Sequence, residues 1–282
     1  MKKEGYKQMK MYELPVMEKF IRVCEDGWNL GWHERNGGNL TYLLDREETA
    51  AMEPFFSEVP GQWKALGVCD ATLAGRFFIA TGSGKFFRNV SLDPEDSLCV
   101  LEINDKGDSY RIRWGLINGG RPTSEFPTHY MNHCVRYKAT NGTNRVIYHA
   151  HTPNMIAMTN ILPLKDRDIT RALWQSATEC PVVFPGGVGV VPWMVPGGSD
   201  IALATCEKMK EFDAAIWAQH GTFVSGPDFD IAFGLMHTIE KAAQIWILSH
   251  STGLPYLQTI EDDGMRAIAK EFGVTIREDF LD

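Results

Sequence analysis

The sequence has no pair of cysteines two residues apart, no uninterrupted apolar stretch of membrane-spanning length and no excess of basic residues. Its six cysteines, Cys24, Cys69, Cys99, Cys134, Cys180 and Cys206, are scattered, so neither a zinc knuckle nor a dithiol redox motif is indicated, and an even count in a chain this long does not imply disulfides. The longest apolar stretch, Val182 to Val195, is broken by Pro185, Gly186, Gly187, Gly189 and Pro192 and cannot cross a bilayer as a helix. Acidic residues outnumber basic ones 36 to 28, and the resulting net charge of -8 argues against a nucleic-acid backbone as partner. The opening stretch Met1 to Lys10 is basic but stays polar where a signal peptide needs an apolar core. A reduced, cytoplasmic protein with no membrane or nucleic-acid partner is expected.

What is present is ordinary globular material: 282 residues, 44% hydrophobic and 23% charged, enough to bury a sizeable core. Without repeats or a linker, the chain reads as a single domain over 1–282 with an N-terminal helical segment at about 15–33. There Val16, Phe20, Val23, Cys24, Trp28 and Leu30 approximate a helical stripe behind Pro15. Strands are expected in a short run through Leu44 after the Arg35–Thr41 turn, then from Arg76 to Ala80, Ser97 to Ile103 and Tyr110 to Gly115. The last two are joined by the turn residues of Asn104 to Asp108 and therefore pair antiparallel. Residues 45–73 read as a loop-rich insertion. Further helices are expected to about Ala139, then over Thr152–Asn160, Asp168–Gln175, a stretch to about Glu211 capped by Asp200, Asp230–Ser249, and Asp262–Phe272 ahead of Gly273. Short strands are expected around Val182 and Val188, and the whole suggests helices layered on a mostly antiparallel sheet.

Chemistry concentrates in a few places. Arg145-Val-Ile-Tyr-His-Ala-His151 looks like a strand, so His149 and His151 share a face and could grip one ion; the alternative is a pair of satisfied core imidazoles. His220 closes the apolar run from Ala214 and precedes Gly221, and three imidazoles with an open position form a catalytic zinc arrangement. The turn Thr81-Gly-Ser-Gly-Lys-Phe-Phe-Arg88 combines glycine, hydroxyl and positive charge that could cradle an anion, though it lacks the Walker pattern and equally suits a hairpin. Asn36 and Asn39 flank two glycines that serve either a turn or a close approach to a ligand. Thr123, Ser124 and Glu125 lie near a helix start, where an acidic residue has a structural reason to be. Glu179 is ambiguous.

Arg35-Asn-Gly-Gly-Asn-Leu-Thr41, Thr81 to Asn89, Pro122-Thr-Ser-Glu125, His149-Ala-His151 and Gln219-His-Gly221, in that order, resemble the class II aldolase and adducin family, together with Lys138 to Gly142 and Pro192 to Gly197. The resemblance runs from about Trp28 to Val274; the N-terminal extension, the insertion at 45–73 and the extreme C-terminus depart from it. It implies a three-layer α/β/α fold around a mixed, mainly antiparallel sheet. It also implies a lyase with one Zn2+ per subunit on His149, His151 and His220, Glu125 as catalytic acid/base, and retro-aldol cleavage of a ketose 1-phosphate. Phosphate would be bound by Asn36, Ser83, Gly84, Thr123 and Ser124, with Asn39 nearby. It further implies a homotetramer with sites at subunit boundaries, Glu179 reaching a neighbouring site. Alternatives are a phosphopentose 4-epimerase or another sugar-phosphate aldolase on the same fold, an adducin-like binding protein without the chemistry, and an unrelated zinc hydrolase.

Overall fold

The computed structural model describes residues 9–282. Its elements in chain order are α1 (Pro15–Asn29), β1 (Asn39–Leu43), α2 (Arg46–Met52), β2 (Lys64–Ala65), β3 (Phe77–Thr81), α3 (Pro94–Ser97), β4 (Leu98–Ile103) and β5 (Ser109–Gly115). Then come α4 (Phe126–Ala139), β6 (Val146–Ala150), α5 (Pro153–Thr159), α6 (Asp166–Ser176), α7 (Cys180–Val183), β7 (Gly189–Val191), α8 (Ser199–Met209), β8 (Ala214–Trp217), β9 (Gly221–Gly226), α9 (Phe229–His250) and α10 (Asp262–Phe272). The basic opening stretch lies outside the described residues as far as residue 8.

The strands form one sheet in the order β2-β5-β4-β3-β1-β6-β9-β8-β7, and only the β7–β8 pair is parallel. Alternation along β1 and β6 assigns the two faces. Leu40, Tyr42, Val146 and Tyr148 point into a core shared with α1, α5, α6 and α9. On the opposite face Leu43 packs with Phe126, Tyr130 and Cys134 of α4, while Ile147 packs with Ile201 and Met209 of α8. Helices therefore cover both faces, and the expected α/β/α layering around a mixed, mainly antiparallel sheet is what the chain forms.

Helix α1 follows its stripe: Met17, Phe20, Val23 and Cys24 are buried, with the Phe20 ring edge-on to Phe229 of α9 at 5.9 Å. Truncating so enclosed an aromatic typically costs about 3–5 kcal/mol. Helix α10 ends as its sequence dictates, with Gly273 in the left-handed region at φ 66°.

One expectation is extended and two are corrected. Residues 45–73 are loop-rich but carry elements that were not expected: Asp45 and Glu48 form a reciprocal capping box that starts α2, and β2 adds an edge strand beside β5. The segment around Val182 is a single helical turn, α7, because Pro181 suits its first turn; only the second strand candidate exists, as β7 beginning one residue after Val188. Asp200 lies in the first turn of α8, whose cap position is Gly198. Strand β9, which no pattern singled out, completes a hairpin with β8 through the turn that carries His220.

Candidate active site and metal centre

The β1–β6 register sets Asn39 directly across from His149, and the β6–β9 register sets His149 across from Phe223. His151 follows β6, and His220 stands in the β8–β9 turn immediately before Gly221. The three rings face one another with centroids 4.9–5.2 Å apart. One ring nitrogen from each lies within 4.8 Å of the others, close enough for one ion after a small side-chain adjustment given metal–nitrogen bonds of about 2.0–2.1 Å.

Glycine makes this convergence possible. A methyl group at Gly37 would fall 2.8 Å from the His151 ring, and one at Gly38, which has φ 74°, would fall 2.7 Å from the His149 carbonyl. At Gly221 it would stand 2.3 Å from the Ala150 carbonyl oxygen. Gln219 holds the turn before His220 with φ 55°, its backbone N–H donating to Thr159 Oγ1 at 3.0 Å and its side-chain amide to the Thr159 carbonyl at 2.9 Å.

The nitrogens are suited to hold a metal ion. His149 Nδ1 lies 3.1 Å from the Thr222 carbonyl, which only accepts, so Nδ1 carries the proton and Nε2 the lone pair. Nε2 is buried and has no hydrogen-bond partner. Such an orphan typically costs about 1–3 kcal/mol, and binding a cation would relieve it. Burial first, then the facing His220 and His151, hold His149 far below the ordinary imidazole range; burial and His151 push His220 down to about 4. Both are therefore neutral, as metal ligation requires. His151 Nδ1 meets Glu34 Oε1 at 2.6 Å, a carboxylate–histidine pair of the kind that orients a metal ligand. The satisfied-core alternative for the histidine pair does not describe His149.

Glu125 occupies the cap position of α4, yet its carboxylate makes no capping bond. Instead Oε2 accepts from Asn39 Nδ2 at 2.7 Å, and the side chain lines the same pocket as the three histidines. Burial raises its pKa above the usual carboxylate value, opposed by the Asn39 bond and by His151. A role as a helix-end charge therefore does not explain it.

The pocket encloses about 270 Å³. Asn36, Asn39, Ser83, Gly84, Thr123, Ser124, Glu125, His149, His151 and His220 all line it, so ten of the eleven anticipated residues come together. Two of its loops are tied by the Gly82–Pro122 bridge, by Ser83 N–H donating to the Arg121 carbonyl and by Thr123 N–H donating to the Thr81 carbonyl, each at 2.8 Å. The positive charge expected of the Thr81–Arg88 turn is used elsewhere: Lys85 pairs with Asp96, and Arg88 lies over the Trp28 ring. No lysine or arginine stands among the lining residues, so an anion there would meet neutral donors. Asn39 lines the pocket beside the anticipated phosphate residues, with its amide hydrogen-bonded to Glu125 and His129. Glu179 is exposed at the start of α7 and does not line the pocket of its own chain. Missed by the motifs were Glu34, Thr222 and the buried pair His129 and His133; only the last left a signal, two histidines four apart on α4, while Pro196 and Gly197 of the lining fall in the Pro192–Gly197 stretch to which no site role was given.

A buried carboxylate beside three converging imidazoles, on a sheet with helices on both faces, defines a metal-dependent enzyme of a recognisable class. The sequence profile of the Class II Aldolase and Adducin N-terminal domain matches residues 18–247, and the chain belongs to that family. It is a class II aldolase, a carbon–carbon lyase. It is 48% identical over 259 residues to the rhamnulose-1-phosphate aldolase of Pectobacterium atrosepticum, covering 92% of this chain and 94% of that one. To the rhamnulose-1-phosphate aldolase of Salmonella paratyphi B it is 47% identical, covering 92% and 94%. Among solved structures, a sugar-phosphate aldolase from Thermotoga maritima superposes with a TM-score of 0.71 at 27% identity, over 86% of this chain and 97% of that one. An L-fuculose 1-phosphate aldolase shares the fold at 20% identity and a TM-score of 0.58, over 92% and 96%.

Proposed function

We propose that the chain cleaves L-rhamnulose 1-phosphate reversibly to dihydroxyacetone phosphate and L-lactaldehyde, with one zinc ion per subunit held by His149, His151 and His220. The observation that carries this reading is the Glu125 carboxylate opening into the same pocket as the His149–His151–His220 cluster, in a chain nearly half identical to rhamnulose-1-phosphate aldolases. A divalent ion bound there supplies Lewis acidity toward the ketone oxygen and its neighbouring hydroxyl.

The protein's own groups do the rest. Thr222 fixes the His149 tautomer and Glu34 orients His151, so the ligand nitrogens are aimed before substrate arrives. Asn36, Ser83, Gly84, Thr123 and Ser124 hold the phosphate with neutral donors and keep the carbon chain in register. As the bond between carbons three and four breaks, the hydroxyl on carbon four gives up its proton to become the aldehyde carbonyl, and the bonding pair stays on the three-carbon fragment as an enediolate that must regain one proton at carbon three. Glu125, whose pKa is raised by burial, moves the proton at the enediolate carbon. No lysine is required for a Schiff base.

The test is direct: supply L-rhamnulose 1-phosphate and measure both products. Release of dihydroxyacetone phosphate with L-lactaldehyde supports the reading. An epimerase on this fold would return the carbon chain intact, and conversion without triose phosphate would sink the proposal.

A further inference from the structure

Asn39 is buried between the reacting carboxylate and the interior of the sheet–helix interface, and its partners there have a fixed polarity. A carboxylate offers lone pairs, so the amide group facing Glu125 Oε2 at 2.7 Å is the nitrogen Nδ2. The other end is then settled: Asn39 Oδ1 faces His129 Nε2 and needs a proton from it. His129 is fully buried, and burial pushes its pKa down to about 3, so the ring is neutral and its Nδ1 carries the lone pair. Nδ1 lies 2.8 Å from Thr41 Oγ1, and Thr41 must spend its single hydroxyl proton there. The same oxygen lies 2.8 Å from His133 Nε2, so His133 donates in turn. Four successive donors, His133, Thr41, His129 and Asn39, point one way, and the last points at Glu125.

Packing alone does not call for this. His129 and His133 occupy the sheet-facing side of α4, where apolar residues would fill the volume with no hydrogen bonds to satisfy. A chain of aligned donors instead strengthens each bond along it and rejects the flipped amide.

We propose that His129, backed by Thr41 and His133, is a positioning residue for Glu125: it locks the Asn39 amide in the one orientation that donates to the carboxylate, leaving Glu125 Oε1 for proton transfer. This rests on Glu125 being the acid/base of the reading above, and the tests separate the two claims.

The first measurement uses the metal-loaded wild-type protein with 15N-labelled histidine and reads ring tautomers by long-range 1H–15N correlation, with single-histidine variants for assignment. His129 and His133 are expected neutral with the proton on Nε2. A proton on Nδ1 of His129 would run the chain backwards and overturn the proposal. The second is kinetic. His129→Phe keeps a ring edge-on to Phe223 and removes both polar contacts; it is expected to lower kcat about 10- to 100-fold with KM and metal content unchanged. His129→Gln, whose amide can replace the imidazole donor, recovers most of that loss. In a Glu125→Gln background the Phe substitution adds no further loss, because both act through one group. Wild-type kcat in His129→Phe, or the same fold loss on top of Glu125→Gln, overturns the proposal. Wild-type turnover in Glu125→Gln alone overturns the role of Glu125 instead. Should His129→Phe fail to fold, Thr41→Val carries the same comparison and the tautomers decide.

Discussion

His149 Nε2 is a buried nitrogen with a lone pair and nothing protein-borne to accept from, and that single atom separates a metal ligand from a core histidine. Replacing His149 with Ala is expected to lower bound metal well below one ion per chain by metal analysis, and stoichiometric metal in that variant would contradict its assignment. Glu125→Gln keeps shape and is expected to retain fold and metal while turnover falls by about 10² to 10⁴. Full turnover there would remove the carboxylate from the mechanism. The histidines were legible in the sequence because spacing brings them to notice: His149 and His151 share a strand face, and His220 sits against a glycine turn; the role of Glu125 was implied by the family resemblance alone. Glu34 and Thr222 were not, because one is a lone surface carboxylate and the other acts through a backbone carbonyl that every residue possesses.

At the level of elements, the site depends on strands meeting in one register. Gly221 lets β9 pass beside β6, and a methyl group there would meet the Ala150 carbonyl at 2.3 Å. Gly221→Ala is therefore expected to cost about 1–3 kcal/mol in denaturant unfolding and to weaken metal binding by moving His149 against His220. Unchanged stability and metal content would contradict that account. The β4–β5 pair offers a separate prediction. Glu102 takes two bonds from Arg111, at 2.7 and 3.0 Å, and one from Arg113 at 2.6 Å. Burial pushes its pKa up, but the two guanidinium groups outweigh this and leave it below the usual value. A depressed folded pKa contributes stability above the unfolded value, about 4.3, and loses it as pH falls through the folded one. Glu102→Gln should thus cost about 1–3 kcal/mol at pH 7, with the gap to wild type closing in acid. A gap that stays constant with pH would refute the charge pairing. Most elements were readable from period and turn chemistry. Helix α2 was obscured by its acidic composition although Asp45 and Glu48 carry the capping signature, and α7 is too short for periodicity to tell helix from strand.

For the whole molecule, the layering followed from sequence pattern and resemblance together, whereas the order of nine strands rests on long-range pairing that no local signal encodes. No helix among the described residues is long and apolar enough to cross a membrane. Exposed Trp193, Val195 and Leu203 suit the homotetramer with sites at subunit boundaries that the resemblance implies, in which Glu179 would reach a neighbouring site. Mixing inactive Glu125→Gln and Glu179→Ala subunits tests this, since mixed assemblies would regain sites with both carboxylates. Activity that never exceeds the two parents would argue against a shared site. The central claim, one cation on three imidazoles driving cleavage, is tested most directly by stripping metal with a chelator and titrating zinc back while following triose phosphate release from L-rhamnulose 1-phosphate. Release is expected to vanish in the stripped protein and to rise linearly to an end point of one ion per chain; full cleavage by metal-free protein would contradict it.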